Sequence, residues 1–229
     1  QRRIFPGRSG GATAAVAGAQ QPIDAAYTAR IRELTPTDPN WKFTTELVDH
    51  LPASKTVPTP LAVLGYVPGT IGRLGNTTEI YRYFRTVAEK SPRVKVFSMG
   101  TTELGREMIV AAIADEATIR RLDDYKKMTN RMADPRGISA GERAQLLKDA
   151  KPIYYISASI HSPETGSPDM TMELLYRLAV DESDYYKAIR QATHSTVLRQ
   201  ICSCCVTRRE GPTCTSPGLP DLRFRRCPK

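Results

Sequence analysis

Hydrophobic residues in the middle of the chain recur with two different periods, which together predict an α/β domain. After Asn76 and Glu79, which have the spacing of a helical capping box, apolar residues stand three and four positions apart, as on one buried face of a helix. They are Ile80, Tyr83, Phe84 and Val87. Residues 94–99 then alternate between apolar and polar, and residues 108–113 are continuously apolar. These two segments predict a β-hairpin whose second strand is buried on both faces.

Further elements are predicted from shorter signals. Residues 61–66, an apolar run before Pro68, are expected to form a strand or a buried extended segment. Helices are expected at about 116–131 and 139–149, and residues 153–160 give the strongest strand signal in the chain. Strands and helices that alternate in this way are typical of an α/β domain.

Two helices are predicted near the end of this patterned region. Ser167, Pro168 and Asp169 resemble a helix start, because serine caps helices, proline suits the first position and aspartate favours the positive end. The buried stripe of this helix is expected to be Met170, Leu174, Leu175 and Leu178. A second helix is expected from about Ser183 to Arg190.

Composition divides the chain into four segments. Residues 1–19 are a leader or a disordered tail, and residues 20–60 carry six prolines and predict an irregular segment. Residues 61–191 hold the patterned region. Residues 192–229 are rich in Cys, Arg, Pro, Ser and Thr without a period, and form an anomalous tail that a shifted reading frame would explain.

The net charge of +9 lies at the two ends of the chain. Residues 1–32 carry five Arg against one Asp, and residues 192–229 carry seven basic against two acidic residues. The region between them is neutral, whereas a nucleic-acid-binding domain concentrates positive charge on a folded face. We therefore expect no nucleic-acid partner.

The N-terminus weakly resembles a secretory leader. Arg2 and Arg3 precede a stretch of small residues that ends in Ala17-Gly-Ala19, the pattern of a signal-peptidase site. This predicts a secreted or periplasmic protein. No run of about 18 apolar residues indicates a membrane span, and no feature of the sequence indicates the oligomeric state.

The five cysteines do not form a recognisable framework. All lie in the tail, at Cys202, Cys204, Cys205, Cys214 and Cys227. An odd number crowded into one terminus argues against a set of disulfides, and the spacing lacks the paired Cys-x-x-Cys of zinc ribbons. The tail therefore predicts no metal site.

The candidate chemistry of the chain lies where the strand at 153–160 ends. His161 follows directly, and Glu164 stands three residues later across a turn stiffened by Pro163. Imidazole nitrogen and carboxylate oxygen are both good zinc ligands, and the carboxyl edge of an α/β sheet is where ligands bind. A catalytic zinc needs three protein ligands, so His161 and Glu164 form at most two-thirds of a site.

Several segments with this motif resemble the start of a carboxypeptidase A-like zinc metallocarboxypeptidase, over about residues 40–191. They are Tyr81-Arg-Tyr-Phe84, Ser91-Pro-Arg-Val-Lys-Val96, Gly105-Arg-Glu-Met108, Lys151-Pro-Ile153 and Ile160-His-Ser-Pro-Glu-Thr-Gly-Ser-Pro-Asp169. The resemblance implies a mixed, mostly parallel sheet flanked by helices. It also implies that zinc is bound by His161 and Glu164, and that C-terminal residues of a peptide or protein substrate are hydrolysed by a zinc-activated water.

The family's remaining catalytic groups are not identifiable in this chain. A third histidine ligand should lie far downstream of Glu164, but His50 is upstream and His194 follows too closely. The general-base glutamate and the carboxylate-binding arginines have no counterpart with family context. We therefore expect a member of this lineage that is inactive as it stands. The alternative is a non-catalytic module that binds peptides or proteins on the same scaffold.

Overall fold

A computed structural model describes residues 21–35, 49–102, 105–159 and 164–193, and the backbone of residues 195–200. These segments contain groups of helices separated by strands, a mixed α/β arrangement. Their bounds are α1 Ala25–Leu34, α2 Pro60–Leu64, α3 Thr77–Lys90, β1 Val94–Thr101, β2 Glu107–Ile113, α4 Glu116–Arg120, α5 Leu122–Ala133, α6 Ala140–Asp149, β3 Ile153–Ala158, α7 Gly166–Val180, α8 Asp184–Ala192 and β4 Ser195–Gln200.

Local capping explains where α3 begins. The Asn76 side chain accepts a hydrogen bond from the Glu79 amide at 2.9 Å, and the Glu79 carboxylate accepts one from the Asn76 amide at 3.2 Å. Two of the amide donors at this helix end are therefore satisfied locally. The predicted capping box and helix are confirmed.

The strand predicted at residues 61–66 is wrong, because α2 occupies Pro60–Leu64. The Thr59 hydroxyl accepts a hydrogen bond from the Ala62 amide at 3.2 Å, and Pro60 stands in the first turn, where a missing N–H costs nothing. Gly65 ends the helix with a φ of 81°, in the left-handed region that glycine adopts without strain.

The four strands form one mixed sheet in the order β1-β2-β4-β3. β1 and β2 form the predicted antiparallel hairpin, β2 and β4 are also antiparallel, and β3 and β4 are parallel. The mixed α/β character is confirmed, but within the described strands a mostly parallel sheet is not. The short connection between β1 and β2 imposes an antiparallel pair, and β4 enters next to β2 in the opposite direction.

β4 extends the sheet past residue 191, where the composition changes. Its backbone pairs with β2 from Val110↔Arg199 to Ile113↔Thr196, and with β3 from Ile153↔Ser195 to Ala158↔Gln200. The anomalous tail predicted to start at residue 192 therefore contains a strand that lies between two others. The predicted frame shift stays a prediction.

The main core lies between the sheet, α3 and α7, and the N-terminal segment packs against the same two helices. Tyr83, Phe84, Met172 and Leu175 are fully buried within it. Tyr176 donates a hydrogen bond to the carbonyl of Pro52 at 2.8 Å, which fixes the segment before α2 to α7. No helix among the described segments has the length and apolar character that a membrane crossing requires.

The buried face of α7 differs from the predicted stripe. Met170, expected in the core, is 47 % exposed, whereas Met172 is fully buried. Leu175 and Leu178 are buried as predicted, and Leu174 is only partly buried. Because α7 is covered by the sheet on one side and by the N-terminal segment on another, its buried surface also includes Arg177.

Candidate metal site

One hydroxyl group connects the two ends of the segment that carries the predicted zinc ligands, the predicted metal turn. β3 ends at Ala158, and Ser159 follows with a φ of 60°, in the left-handed region. The Ser159 amide donates to the Ser167 hydroxyl at 2.9 Å, and that hydroxyl donates to the carbonyl of Glu164 at 3.2 Å. Ser167 therefore ties the end of β3 to the start of α7, with residues 160–163 between them.

This turn lies at one defined edge of the sheet. Ala158 is paired with Gln200, and Arg199 with Val110, so the ends of β3 and β4 meet near the start of β2. Glu164 precedes α7, and its residue is exposed. His161 lies outside the described residues, so its approach to Glu164 stays a prediction.

The structure separates His50 from this turn. The His50 imidazole lies 2.5 Å from the Asp49 carboxylate, and the His50 carbonyl accepts a hydrogen bond from Arg177. Arg177 lies eleven residues after the first residue of α7, which corresponds to about 16 Å along a helix that rises ~1.5 Å per residue. His50 therefore lies at the far end of α7 from Glu164.

The side chains present fit a metal only in part. Glu164 offers a carboxylate oxygen, a good zinc ligand, at the carboxyl end of a strand. Within the described ranges, however, no three His, Cys, Asp or Glu side chains come close enough to hold an ion. The second predicted ligand and His194 lie outside those ranges, so the described residues supply one ligand and not a complete site.

A buried aspartate positions the first turn of α7, and sequence reasoning assigned it only to the helix start. Asp169 is 4 % exposed, and its carboxylate accepts a hydrogen bond from the Gly75 amide at 3.1 Å. A Cβ at Gly75 would stand 2.6 Å from that carboxylate oxygen, so only glycine allows this approach. Gly75 directly before the capping box of α3 was the signal available in the sequence. Asp169 thus links α3 to the helix that follows the metal turn.

Burial raises the pKa of Asp169, although the amides of Gly75 and Gly69 act in the opposite direction. The native state therefore keeps this proton to a higher pH than the unfolded chain. Stability from this group is complete below the unfolded pKa of about 3.9 and is lost as the pH rises through the native pKa.

We expect Asp169→Asn to remove this dependence. An amide oxygen still accepts from Gly75 but carries no charge at any pH. The free energy of unfolding of each protein is measured by urea denaturation. As the pH rises from about 4 to 7, the value for the variant should increase relative to that for the original chain. Asp149→Asn, at an exposed position of α6, is the control. A difference that does not change with pH at residue 169 would contradict the expectation.

A comparison with protein-family models agrees with the resemblance noted from the motifs. A family model described as zinc carboxypeptidase matches residues 80–199, from α3 through β4 and including both predicted ligands. Among solved structures, a carboxypeptidase A from Helicoverpa armigera is similar at 13 % identity and a TM-score of 0.39, over 66 % of this chain and 27 % of that chain. No curated protein sequence matches. Since the family model covers more than half of the 229 residues, the chain belongs to the zinc carboxypeptidase family.

Proposed function

We propose that this chain carries the amino-terminal zinc half-site of a metallocarboxypeptidase. Its lineage hydrolyses C-terminal residues of peptides, whereas this chain binds zinc weakly and hydrolyses little or no peptide. The observation that carries the proposal is the family match over residues 80–199, which contains the His161-x-x-Glu164 motif, together with the Ser167 hydroxyl that joins Ser159 to Glu164.

In this proposal each residue of the turn has a separate task. The His161 imidazole and the Glu164 carboxylate hold the ion, and the Ser167 hydroxyl holds the two ends of the turn at a fixed separation. Zinc, when bound, polarises a carbonyl and lowers the pKa of a bound water. A third ligand and a general base are needed to use that chemistry, and no residue of this chain is assigned to either role.

The proposal is tested by measuring the zinc affinity of the metal-free chain in competition with a chromophoric chelator. We expect one weakly bound zinc per chain, lost in His161→Ala and in Glu164→Ala because each variant removes one of two ligands. Hydrolysis of a peptide with a blocked N-terminus should stay at background with zinc present.

Two matched substitutions show whether the loss is specific. His50→Ala removes a half-exposed histidine at the far end of α7, and Glu89→Ala removes an exposed glutamate of α3. Both should bind zinc as the original chain does. Equal zinc binding in all five proteins would overturn the half-site, and tight zinc binding with peptide hydrolysis would overturn the inactivity.

An edge strand favours a second candidate, the peptide-binding module. Among the described strands, β3 pairs on one side only, with β4. Ile153, Tyr154 and Tyr155 at its start are 44 %, 63 % and 48 % exposed. An extended peptide can add to such an edge through main-chain hydrogen bonds. Peptide binding that survives His161→Ala and is lost in Tyr155→Pro would favour this candidate over the metal half-site.

A further inference from the structure

A cavity of about 340 Å³ opens at the edge of the sheet opposite the metal turn. It lies where β1 begins, β2 ends and β4 begins, because Val94 is paired with Ile113 and Ile113 with Thr196. Six of its lining residues are charged, four of them cationic. They are Arg93, Arg120, Lys187 and Arg190, with Asp115 and Glu116.

The cations outnumber the carboxylates that neutralise them. Glu182 alone faces three of them: Arg93 forms a close ion pair with it, Arg190 lies at 3.5 Å and Lys187 at 3.8 Å. Glu116 lies 3.7 Å from Arg93, and Asp115 is paired with Lys151 at 3.4 Å.

Arg120 is exposed and forms no ion pair within the described segments. With Asp115 balanced by Lys151, the four cations face the carboxylates of Glu116 and Glu182, and the Asp181 carboxylate also acts on Arg190. Four cations and three carboxylates leave an excess of one positive charge in and around the cavity.

Two of the guanidinium groups are fixed before any ligand arrives. Arg190 is 3 % exposed, and its Nη1 donates to the carbonyls of Leu178 at 3.1 Å and Asp181 at 2.6 Å. Arg93 donates to the carbonyl of Ala179 at 3.1 Å. These carbonyls belong to the end of α7 and its C-cap, so folding itself brings the two cations together.

This arrangement has an electrostatic cost that an anion would relieve. Burial, together with the charge of Arg93, lowers the pKa of Arg190. Preorganised donors of this kind bind oxyanions well because no reorganisation is needed on binding, and guanidinium groups match the geometry of tetrahedral oxyanions.

We propose that this cavity binds a small doubly charged oxyanion, of the phosphate or sulfate type. The charge of such an ion is opposite to the excess in the cavity. Arg120 is exposed and Lys187 is partly exposed, so both side chains can reach the ion. The site is separate from the metal turn and does not depend on zinc.

Isothermal titration of the full chain with sodium sulfate and with sodium phosphate tests the proposal, at ionic strength held constant with sodium chloride. We expect one ion per chain and an accompanying rise in the melting temperature. Arg120→Ala and Lys187→Met should each weaken binding about tenfold, the effect of losing one charge-assisted hydrogen bond. Both side chains are at least partly exposed, so these variants should fold.

Arg143→Ala is the matched control, because Arg143 is an exposed arginine of α6 outside the cavity lining. It should bind the anion as the original chain does. The proposal is overturned if chloride alone stabilises the protein as much as sulfate does, if no saturable binding is found, or if Arg143→Ala weakens binding as much as Arg120→Ala.

Discussion

Replacing Glu173 by alanine is expected to lower the free energy of unfolding by about 3 kcal/mol, the cost of leaving a buried charge without its partner. The affected charge is Arg177, whose side chain is 2 % exposed. Its Nε and Nη2 both donate to one Glu173 oxygen at 3.2 Å, and Nη2 also donates to the carbonyl of His50. Without Glu173, the Arg177 guanidinium keeps only the His50 carbonyl of these acceptors, and its charge is no longer neutralised by a carboxylate.

The pair also joins the N-terminal segment to α7. The Tyr27 hydroxyl, on α1, donates to the other Glu173 oxygen at 3.4 Å. Burial and the charge of Glu173 raise the pKa of Tyr27, so this phenol keeps its proton and remains a donor. Loss of Glu173 therefore weakens the attachment of α1 as well as the neutralisation of Arg177.

Glu33→Ala is the matched control for this experiment. Glu33 also lies on a helix and pairs with an arginine, Arg30, but its side chain is 61 % exposed. An exposed pair of this kind contributes at most about 0.5 kcal/mol. Urea denaturation of the three proteins at pH 7 should separate the two glutamates clearly. Equal decreases in the free energy of unfolding in Glu33→Ala and Glu173→Ala would show that the burial of Arg177 does not strengthen its pair with Glu173.

Elements with strong local signals were predictable from the sequence. The capping box at Asn76 and Glu79 and the helical spacing after it locate α3, because both act within a few residues. The β1–β2 hairpin follows for the same reason. α2 was missed because a short apolar run is ambiguous between strand and helix, and the capping by Thr59 ahead of Pro60 was the signal that resolves it.

Features that depend on distant partners were not predictable in the same way. The buried face of α7 was assigned from apolar residues alone, yet Asp169 and Arg177 are buried because segments far away in sequence supply their partners. Hydrophobic periodicity contains no information about such partners. The candidate ligands His161 and Glu164 were found because their chemistry is local to one turn, whereas a third ligand would have to come from elsewhere in the chain.

β4 is the clearest case of a non-local element. Its segment, Ser195–Gln200, has only two strongly apolar residues, Val197 and Leu198, and begins three residues after the composition changes. It is a strand because β2 and β3 supply backbone partners on both sides. Strand signals in composition are weak compared with such pairing.

The position of β4 leads to the prediction with the largest effect: a chain that ends after Thr193 should lose cooperative unfolding, and a chain that ends after Gln200 should keep it. The shorter chain lacks β4, so β3 loses the strand with which it pairs along its whole length. β2 also loses its main-chain pairing with β4, in a part of the strand where Ala111 and Ile113 are buried.

The expected loss exceeds what a domain of this size can tolerate. Each buried main-chain group left without a partner costs about 1–3 kcal/mol, and domains are stable by only about 5–15 kcal/mol. The longer chain keeps every element that the structure describes. Thermal unfolding followed by far-ultraviolet circular dichroism distinguishes the two chains. Identical cooperative transitions would mean that residues 195–200 are dispensable, which would place the end of the folded domain before β4 and restore the boundary suggested by composition.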